Sequence, residues 1–483
     1  MSHYNVVFIS IDTMRPDHLG CYGYGRDTSP HMDALAAQGA LFRQAIAPHI
    51  PTQPSHTTFY TGLHALAHKI AAHARSAKLD RRILMLPQIL QRHGYATAAV
   101  DSVVTISHRK GSWFARGYDY YASYSYDPTR MVKGKTQTEI LTERSVELLE
   151  LLRDEPFFFF VHYWDPHAPY RPPRPYDRMF YSGDERDPRH TSMQPVYALA
   201  EDYYRAVLAD MRMAGVTDLE YVIAQYDAEI RAVDAQIGRL MAALERLGLA
   251  ERTLVVLVSD HGEAFGEGNF YFEHQGLFDG VTRIAMILRL PGRIKPAQQV
   301  DAMVAGYDVA PTILDLLGME PPYGLPYDLT GRSLWPLLDG SASTHHEALV
   351  LTEATRQASY ALRTPDWKLI VPVTHDVHGT PIPDVYGRRR DPHPLLYDLR
   401  TDPSEQHDML ETCPRVAEDL GARLAAWVQK ELQRCGGPDP VATQVSPSAF
   451  ADAMAKYRDR MGSKRNGPAA AIQPIEQLVT QSL

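Results

Sequence analysis

The sequence predicts an α/β fold: a central, mostly parallel sheet flanked by helices, followed by a smaller C-terminal α+β region on an antiparallel sheet. Three observations lead there. Some segments are continuously apolar and β-branched rather than alternating, the pattern of strands buried on both faces. Helical periods lie between them, and alternating strands and helices build a layered α/β domain. Past residue 345 the apolar runs become shorter and more closely spaced, as in an antiparallel sheet carrying a helix.

Residues 5–11 (NVVFISI) form the first such run and end at Asp12. Residues 157–163 (FFFFVHY) and 253–259 (TLVVLVS) repeat the pattern, the latter ending at Asp260. A fourth, 285–290, is stopped by Pro291-Gly292. Residues 139–153 read as a helix, and so do 227–247, where Ile230, Val233, Ile237, Leu240, Leu244 and Leu247 recur at helical spacing. The insertion 170–220, rich in Tyr, Arg, Asp and Pro, reads either as a lid over a site or as a solvated excursion. A Pro- and Gly-rich stretch at 321–340 marks a change of organisation. After it come expected strands at 359–363, 367–373 and 395–398 and a helix at 416–432. The expected division is 1–345 for the main domain, 346–436 for the small α+β unit and 437–483 for a tail that is either poorly ordered or an arm wrapping a partner subunit.

Composition narrows the function. The chain has 483 residues, 45% hydrophobic and 22% charged, which is ordinary globular usage and excludes disordered and fibrous classes. A net charge of -9 argues against nucleic acid as a partner. Cys21, Cys413 and Cys435 are far apart and form no CxxC pair, which suits a reducing compartment. The N-terminus lacks a basic stretch followed by an apolar segment, and no apolar run approaches the ~20 residues of a membrane helix. The expectation is a soluble, cytoplasmic protein that does not engage a membrane.

In open α/β sheets ligands bind beyond the carboxyl ends of the strands. Asp12 stands at one such end, Asp260 and His261 at another, and His162 and His167 at or just after a third. One Asp at a strand end is usually a turn or cap residue, but two with an adjacent His favour a metal site. The segment 47–62, APHIPTQPSHTTFYTG, adds a hydroxyl. Pro54 suits a first helical turn, which puts Thr52 at or just before a helix N-terminus, where the dipole and free N–H groups attract an anion. By itself Thr52 would read as an N-cap. Beside a divalent metal, the same hydroxyl can attack phosphorus or sulfur.

Taken together these segments resemble the sulfatase branch of the alkaline phosphatase superfamily. The opening ISIDTMRPDHLGCYGYGRDTSPHMDALAAQG is similar to the family's first strand and loop, and PTQPSHTTFYTG stands where sulfatases carry C-x-P-S-R-x-x-x-x-T-G. FFVHYWDPHAPY, LVSDHGEAFGEG, EHQGLFDGVTRIAMILRLPG, YDVAPTILDLLG, GRSLWPLL, RTPDWKLI and LYDLRTDPSEQHDM follow in the family's order, from residue 5 to about 430.

The resemblance implies an alkaline-phosphatase-like fold and a metal held by Asp12, Asp260, His261 and the oxygen of Thr52. It implies that His167 and His274 hold the transferring group's oxygens or protonate the leaving group. His56 takes the place of the Arg after the nucleophile, in a catalytic or a structural role. His162 would orient a neighbour, Trp164 and Asp165 would line the pocket, and Arg15, Asp17 and His18 would order the first loop.

The departures set the chemistry. Sulfatases make formylglycine from Cys or Ser, and Thr52 is neither. Position 13 is Thr rather than Asp, His261 replaces Asn, and VDSVVT at 100–105 replaces the family's GKWHLG segment. A Thr nucleophile with an Asp/Asp/His set resembles the phosphodiesterase and phosphonate monoester hydrolase relatives instead. The mixed N/O set favours one divalent ion, Mn²⁺ first, with Zn²⁺, Fe²⁺ or Ca²⁺ as alternatives. The leading expectation is a hydrolase of small-molecule phosphate or phosphonate esters acting through a covalent Thr52 intermediate. A sulfatase working without formylglycine and a non-catalytic anion-binding protein are the alternatives, and the tail predicts a homo-oligomer.

Overall fold

The computed structural model describes residues 4–73, 77–102, 112–123, 135–320 and 329–446. Its centre is β1 (Asn5–Ile11), buried at every position as its unbroken apolar run requires. The main sheet also holds β2 (Ala40–Ile46), β3 (Ala96–Asp101), β4 (Tyr120–Ser123), β5 (Phe157–Tyr163), β6 (Thr253–Ser259), β7 (Arg283–Ile284), β8 (Met286–Arg289) and β9 (Gln298–Ala305). β1 lies between β5 and β6, parallel to both. β3 and then β4 continue the parallel sheet beyond β5. On the other side β8 runs antiparallel to β6 and to β2, and β9 closes that edge parallel to β2. The fold is therefore the expected mixed α/β one, with a nine-stranded, mostly parallel sheet. The expected strand at 285–290 is β8, and it runs antiparallel.

Alternate residues of β1 enter different layers. Val7, Ile9 and Ile11 pack with Leu141, Leu148 and Leu149 of α2 (Gln137–Leu152) and with Ile230, Val233, Ile237 and Leu240 of α3 (Leu219–Arg246). Val6 and Phe8 pack on the opposite face with Phe59 and Tyr60 of α1 (Thr52–Thr61) and Ile313 and Leu314 of α4 (Val309–Leu316). α2 begins at a capping box, in which Thr136 Oγ1 accepts the Glu139 N–H and Glu139 Oε2 accepts the Thr136 N–H. α3 begins eight residues before its expected start at 227, where Asp218 accepts the Glu220 N–H. The insertion 170–220 contains helices Gln194–Leu199 and Glu201–Asp210 and buries Tyr203 and Tyr204 in the α2/α3 layer. It is thus a packed part of the domain.

The smaller sheet contains β10 (Leu349–Ala354), β11 (Ala358–Arg363), β12 (Trp367–Val373) and β13 (Leu395–Asp398), each antiparallel to the next. β10 also pairs, in parallel, with the two-residue strand His49–Ile50. That strand directly precedes Thr52, so the second sheet braces the entry to α1. α5 (Pro414–Cys435) lays Leu420 and Leu424 against Leu362, Leu369 and Leu396 of this sheet. The tail begins with α6 (Pro440–Gln444), and Gln444 accepts the N–H groups of Ala71 and Ala72 and donates to Lys69 O. The rest of the expected oligomerisation arm, from 447, lies outside the described residues.

Three buried histidines lie between α1 and the second sheet. His49 bonds Thr352 Oγ1 through Nδ1 and accepts the Ala65 N–H at Nε2. His64 donates Nε2–H to Val350 O, and His68 bonds Thr58 Oγ1. Burial holds all three neutral, with His64 pushed down to about 3 and His49 and His68 well below the ordinary range. The unfolded chain therefore binds protons that the folded one refuses, and these residues contribute stability that is present above pH ~6.5 and lost as pH falls below it. His64→Gln is expected to remove part of that loss, about 1.4 kcal/mol per pH unit between roughly pH 6 and 4. Urea unfolding of both proteins across that range measures it, and parallel pH profiles for wild type and variant would contradict the assignment.

Candidate active site and metal centre

Strand register builds the site. Ile11 lies beside both Tyr163 and Ser259, so Asp12 and Asp260 leave the carboxyl ends of adjacent strands side by side. The Asp12 N–H bonds Tyr163 O. Thr13 then turns the chain at φ 53°, a strained value for a β-branched residue. Two contacts hold this turn: Asp260 Oδ1 accepts the Thr13 N–H at 3.2 Å, and Tyr226 donates its hydroxyl to Thr13 O at 2.7 Å. His261 spends its Nδ1–H on Gly262 O, which fixes the tautomer and leaves Nε2 facing the carboxylates. That nitrogen lies 3.4 Å from Asp260 Oδ2, 3.8 Å from Asp12 Oδ1 and 3.3 Å from Thr52 Oγ1.

Thr52 is the first residue of α1, whose N-terminus is pinned to the end of β6 by Ser55, donating to Asp260 O at 2.7 Å. Asp12, Asp260 and His261 are fully buried and Thr52 nearly so. The four residues expected to share a metal are therefore gathered in one place.

Those residues fit a cation. Both carboxylate oxygens of Asp12, and Oδ2 of Asp260, are buried with no hydrogen-bond partner among the described residues. Burial, with Asp260, Glu263 and Asp101 nearby, pushes the Asp12 carboxyl well above the usual range. Burial opposes ionisation of Asp260 as well, but His261, His56 and His162 hold its carboxyl below that range. Two adjacent buried carboxylates with only Asp260 Oδ1 hydrogen-bonded are costly unless a cation sits between them. The ligand atoms of Asp12, Asp260 and His261 all lie within 4.8 Å of one another. Two carboxylates, an imidazole and a hydroxyl suit a divalent ion.

His167 and His274 stand at the rim, half-buried, with ring centroids 5.1 Å apart and His274 4.8 Å from His261. His167 donates Nδ1–H to Ala168 O and stacks on Trp164 at 4.1 Å. Burial pushes His167 to about 4 and His274 well below its ordinary value, the latter helped by His261 and His167. Asp165 accepts a hydrogen bond from Thr138 of α2. Arg15 joins Asp17, Glu267 and Glu263 O, and His18 pairs with Asp227, so these residues do order the first loop.

His56 lies beneath Thr52, with Nδ1 3.8 Å from Asp260 Oδ2. It is fully buried, its Nδ1 donates to Thr52 O at 2.9 Å, and its Nε2 meets Ser10 Oγ at 2.9 Å. Of the two roles open to it from sequence, its geometry is that of a group positioning Thr52. Burial, with His162 beside it, pushes it down to about 4.

Sequence reasoning missed Ser10, Asp101, Tyr226 and Glu263. Register places Ser10, His162 and Asp101 in one row across β1, β5 and β3. Asp101 Oδ1 lies 3.0 Å from His162 Nδ1, and His162 Nε2 faces Asp12 Oδ2 at 3.8 Å. Glu263 accepts from Tyr170 at 3.0 Å, and burial pushes it up to about 8. Residues 103–111 and 124–134, Tyr126 and Arg130 among them, lie outside the described residues. Tyr386 is buried, 2.8 Å from the Tyr204 hydroxyl, and Arg388 pairs with Asp384.

A candidate metal pocket with a hydroxyl at a helix N-terminus, beyond the carboxyl ends of a mostly parallel sheet, fits the ester hydrolases of the alkaline phosphatase superfamily. The chain belongs to the sulfatase family: the Sulfatase family model matches residues 4–319, and a second, N-sulphoglucosamine sulphohydrolase, C-terminal, matches 266–430. An N-acetylglucosamine-6-O-sulfatase of Bacteroides thetaiotaomicron is 24% identical over 89% of this chain and 85% of its own. A multifunctional alkaline phosphatase superfamily protein of Trinickia caryophylli, PehA, is 25% identical over 84% of this chain and 91% of its own. The crystal structure of a phosphonate monoester hydrolase of Agrobacterium radiobacter shares the fold, with a TM-score of 0.69 and 23% identity over 89% of this chain and 96% of that one. Among the described residues no helix is long and apolar enough to cross a membrane.

Proposed function

We propose that this sulfatase-family hydrolase cleaves phosphodiesters or phosphonate monoesters through a covalent intermediate on Thr52. The observation that carries this reading is the hydroxyl of Thr52 at the N-terminus of α1, 3.3 Å from His261 Nε2 and beside the carboxylates of Asp12 and Asp260, at the position where formylglycine would otherwise stand. Asp12, Asp260, His261 and Thr52 Oγ1 would hold the ion, Mn²⁺ in this reading, with Zn²⁺, Fe²⁺ or Ca²⁺ as alternatives. When bound, the ion supplies the positive charge that lets the Thr52 hydroxyl give up its proton near neutral pH and that offsets charge on the transferring group.

Thr52 Oγ1 then attacks phosphorus in line, and the P–O bond to the leaving group breaks. The positive end of the α1 dipole, at Thr52, faces the non-bridging oxygens. His167, its Nδ1–H spent on Ala168 O, takes up a proton at Nε2 with the anionic substrate. His167 or His274 then passes a proton to the leaving oxygen. Water attacks phosphorus in the second step, the P–Oγ bond breaks, and Thr52 recovers its proton. His56 and Ser10 keep the start of α1 in place, and Asp101 orients His162 beside Asp12.

One cation suits substrates of single negative charge better than a dianionic monoester, because less positive charge is at hand to offset the developing negative charge. A sulfate ester is the second reading, favoured by the sulfatases among the relatives. Cys21, Cys413 and Cys435 form no disulfide among the described residues, which supports a cytoplasmic setting. A homo-oligomer formed through the segment beyond Gly436 completes the reading.

Turnover of an aryl phosphate, an aryl phosphodiester, an aryl phosphonate and an aryl sulfate, with metal content measured on the same batch, tests it. The diester or the phosphonate is expected to be the fastest, by about tenfold or more over the sulfate, a barrier difference of ~1.4 kcal/mol. Faster sulfate turnover would reverse the order. No turnover of any of the four by metal-containing protein would leave an anion-binding role.

A further inference from the structure

A second convergence of ligand-type side chains lies apart from the catalytic residues. Asp308 closes the short turn Gly306–Asp308 that leads into α4, and it is fully buried. Its Oδ1 accepts the Arg332 N–H at 2.9 Å and its Oδ2 the Ala305 N–H at 2.8 Å. Two consecutive histidines from the segment entering β10 reach the same oxygen: His346 Nε2 at 2.8 Å and His345 Nε2 at 3.3 Å. The His345 side chain is only 6% exposed, and its Nε2 is buried with no hydrogen-bond partner. The carboxylate and imidazole ligand atoms of the three residues lie within 4.8 Å of one another.

We propose that Asp308, His345 and His346 form a second divalent-metal site, of the Zn²⁺ type, that ties the start of α4 to the strand entering the second sheet. Spacing supports it. Ligands bonded to an ion at about 2.0–2.2 Å sit roughly 3.0–3.5 Å apart; His345 Nε2 stands at such a distance from Asp308 Oδ2, 3.3 Å, and His346 Nε2, at 2.8 Å, would move out by a few tenths of an ångström. The chemistry supports it as well. Two imidazoles and one carboxylate are a zinc-type set that leaves a fourth position open for water.

A plain hydrogen-bond cluster explains His346 but not His345. His346 can donate Nε2–H to Asp308 while accepting from Arg332 Nη2 at Nδ1, 3.3 Å away. His345 brings a buried nitrogen to the same oxygen without hydrogen-bonding geometry, which is the position of a ligand. Occupation of the site requires only that the His346 proton move from Nε2 to Nδ1. That ends the long Arg332 contact, and Arg332 keeps its hydrogen bond to His345 O.

Zn²⁺ alone is the probe. In an Asp260→Asn protein, whose catalytic set is broken, dialysis against micromolar Zn²⁺ should leave one bound equivalent and raise the thermal midpoint. Adding His345→Ala should abolish both effects. In the otherwise wild-type chain, His345→Ala should lower zinc content by one equivalent and leave ester turnover unchanged. Should that variant fold poorly, His345→Gln replaces it, with loss of visible Co²⁺ absorption as the readout. Retention of the equivalent in the double variant, or no zinc uptake by Asp260→Asn, would overturn the proposal.

Discussion

Thr52→Ala is expected to lower kcat/KM for the best aryl ester by about 10⁴-fold or more, the scale on which enzymes lose activity when a covalent nucleophile is removed. Asp12, Asp260 and His261 remain in the variant, so its metal content should fall little, and the loss is of chemistry rather than of the ion. Thr52→Ser keeps the hydroxyl at the same helix terminus and should retain most of the rate. The side chain is almost fully buried and its γ-methyl is small, so neither change should alter the fold. A loss of less than about tenfold in Thr52→Ala would remove Thr52 from the nucleophile's role.

Asp260→Asn should lose metal and activity together. Asp260 Oδ1 accepts the N–H groups of Thr13 and His261, and an Asn carbonyl oxygen can keep that place. The Asn amide would then put N–H donors where Oδ2, buried and without a hydrogen-bond partner, faces His261 Nε2 at 3.4 Å. Metal affinity is expected to fall well beyond the 10–100-fold typical of residues that only support ligands. Without metal, the variant should unfold at the same or a higher temperature than wild type stripped of its ion, because one of two adjacent buried carboxylates is gone. Unchanged metal occupancy would count against the site.

The strands that place the candidate site residues are the most legible part of the sequence. β1, β5 and β6 are each buried along their whole length, so they appear as unbroken apolar runs that no amphipathic element would produce. β2 and β3 were not legible. Arg43 and Gln44 interrupt ALFRQAI, and ATAAVD is rich in Ala, a helix former. With β3 went Asp101, because its bond to His162 depends on which strand lies beside β5 and in what register. Motif order was enough to bring Asp12, Thr52, Asp260 and His261 together, since each sits at the end of a strand or helix. The course of His56 toward Ser10, and the service of His49–Ile50 as an edge of the second sheet, are set by tertiary packing that spacing does not encode.

The central claim is a covalent bond between Thr52 and phosphorus, and the stereochemistry at phosphorus tests it most directly. A phosphodiester made chiral with sulfur in a non-bridging position can be hydrolysed in isotopically labelled water and the product's configuration read. Two in-line displacements, the first by Thr52 Oγ1 and the second by water, predict net retention. Net inversion would mean that water attacks the substrate directly, and it would contradict the account.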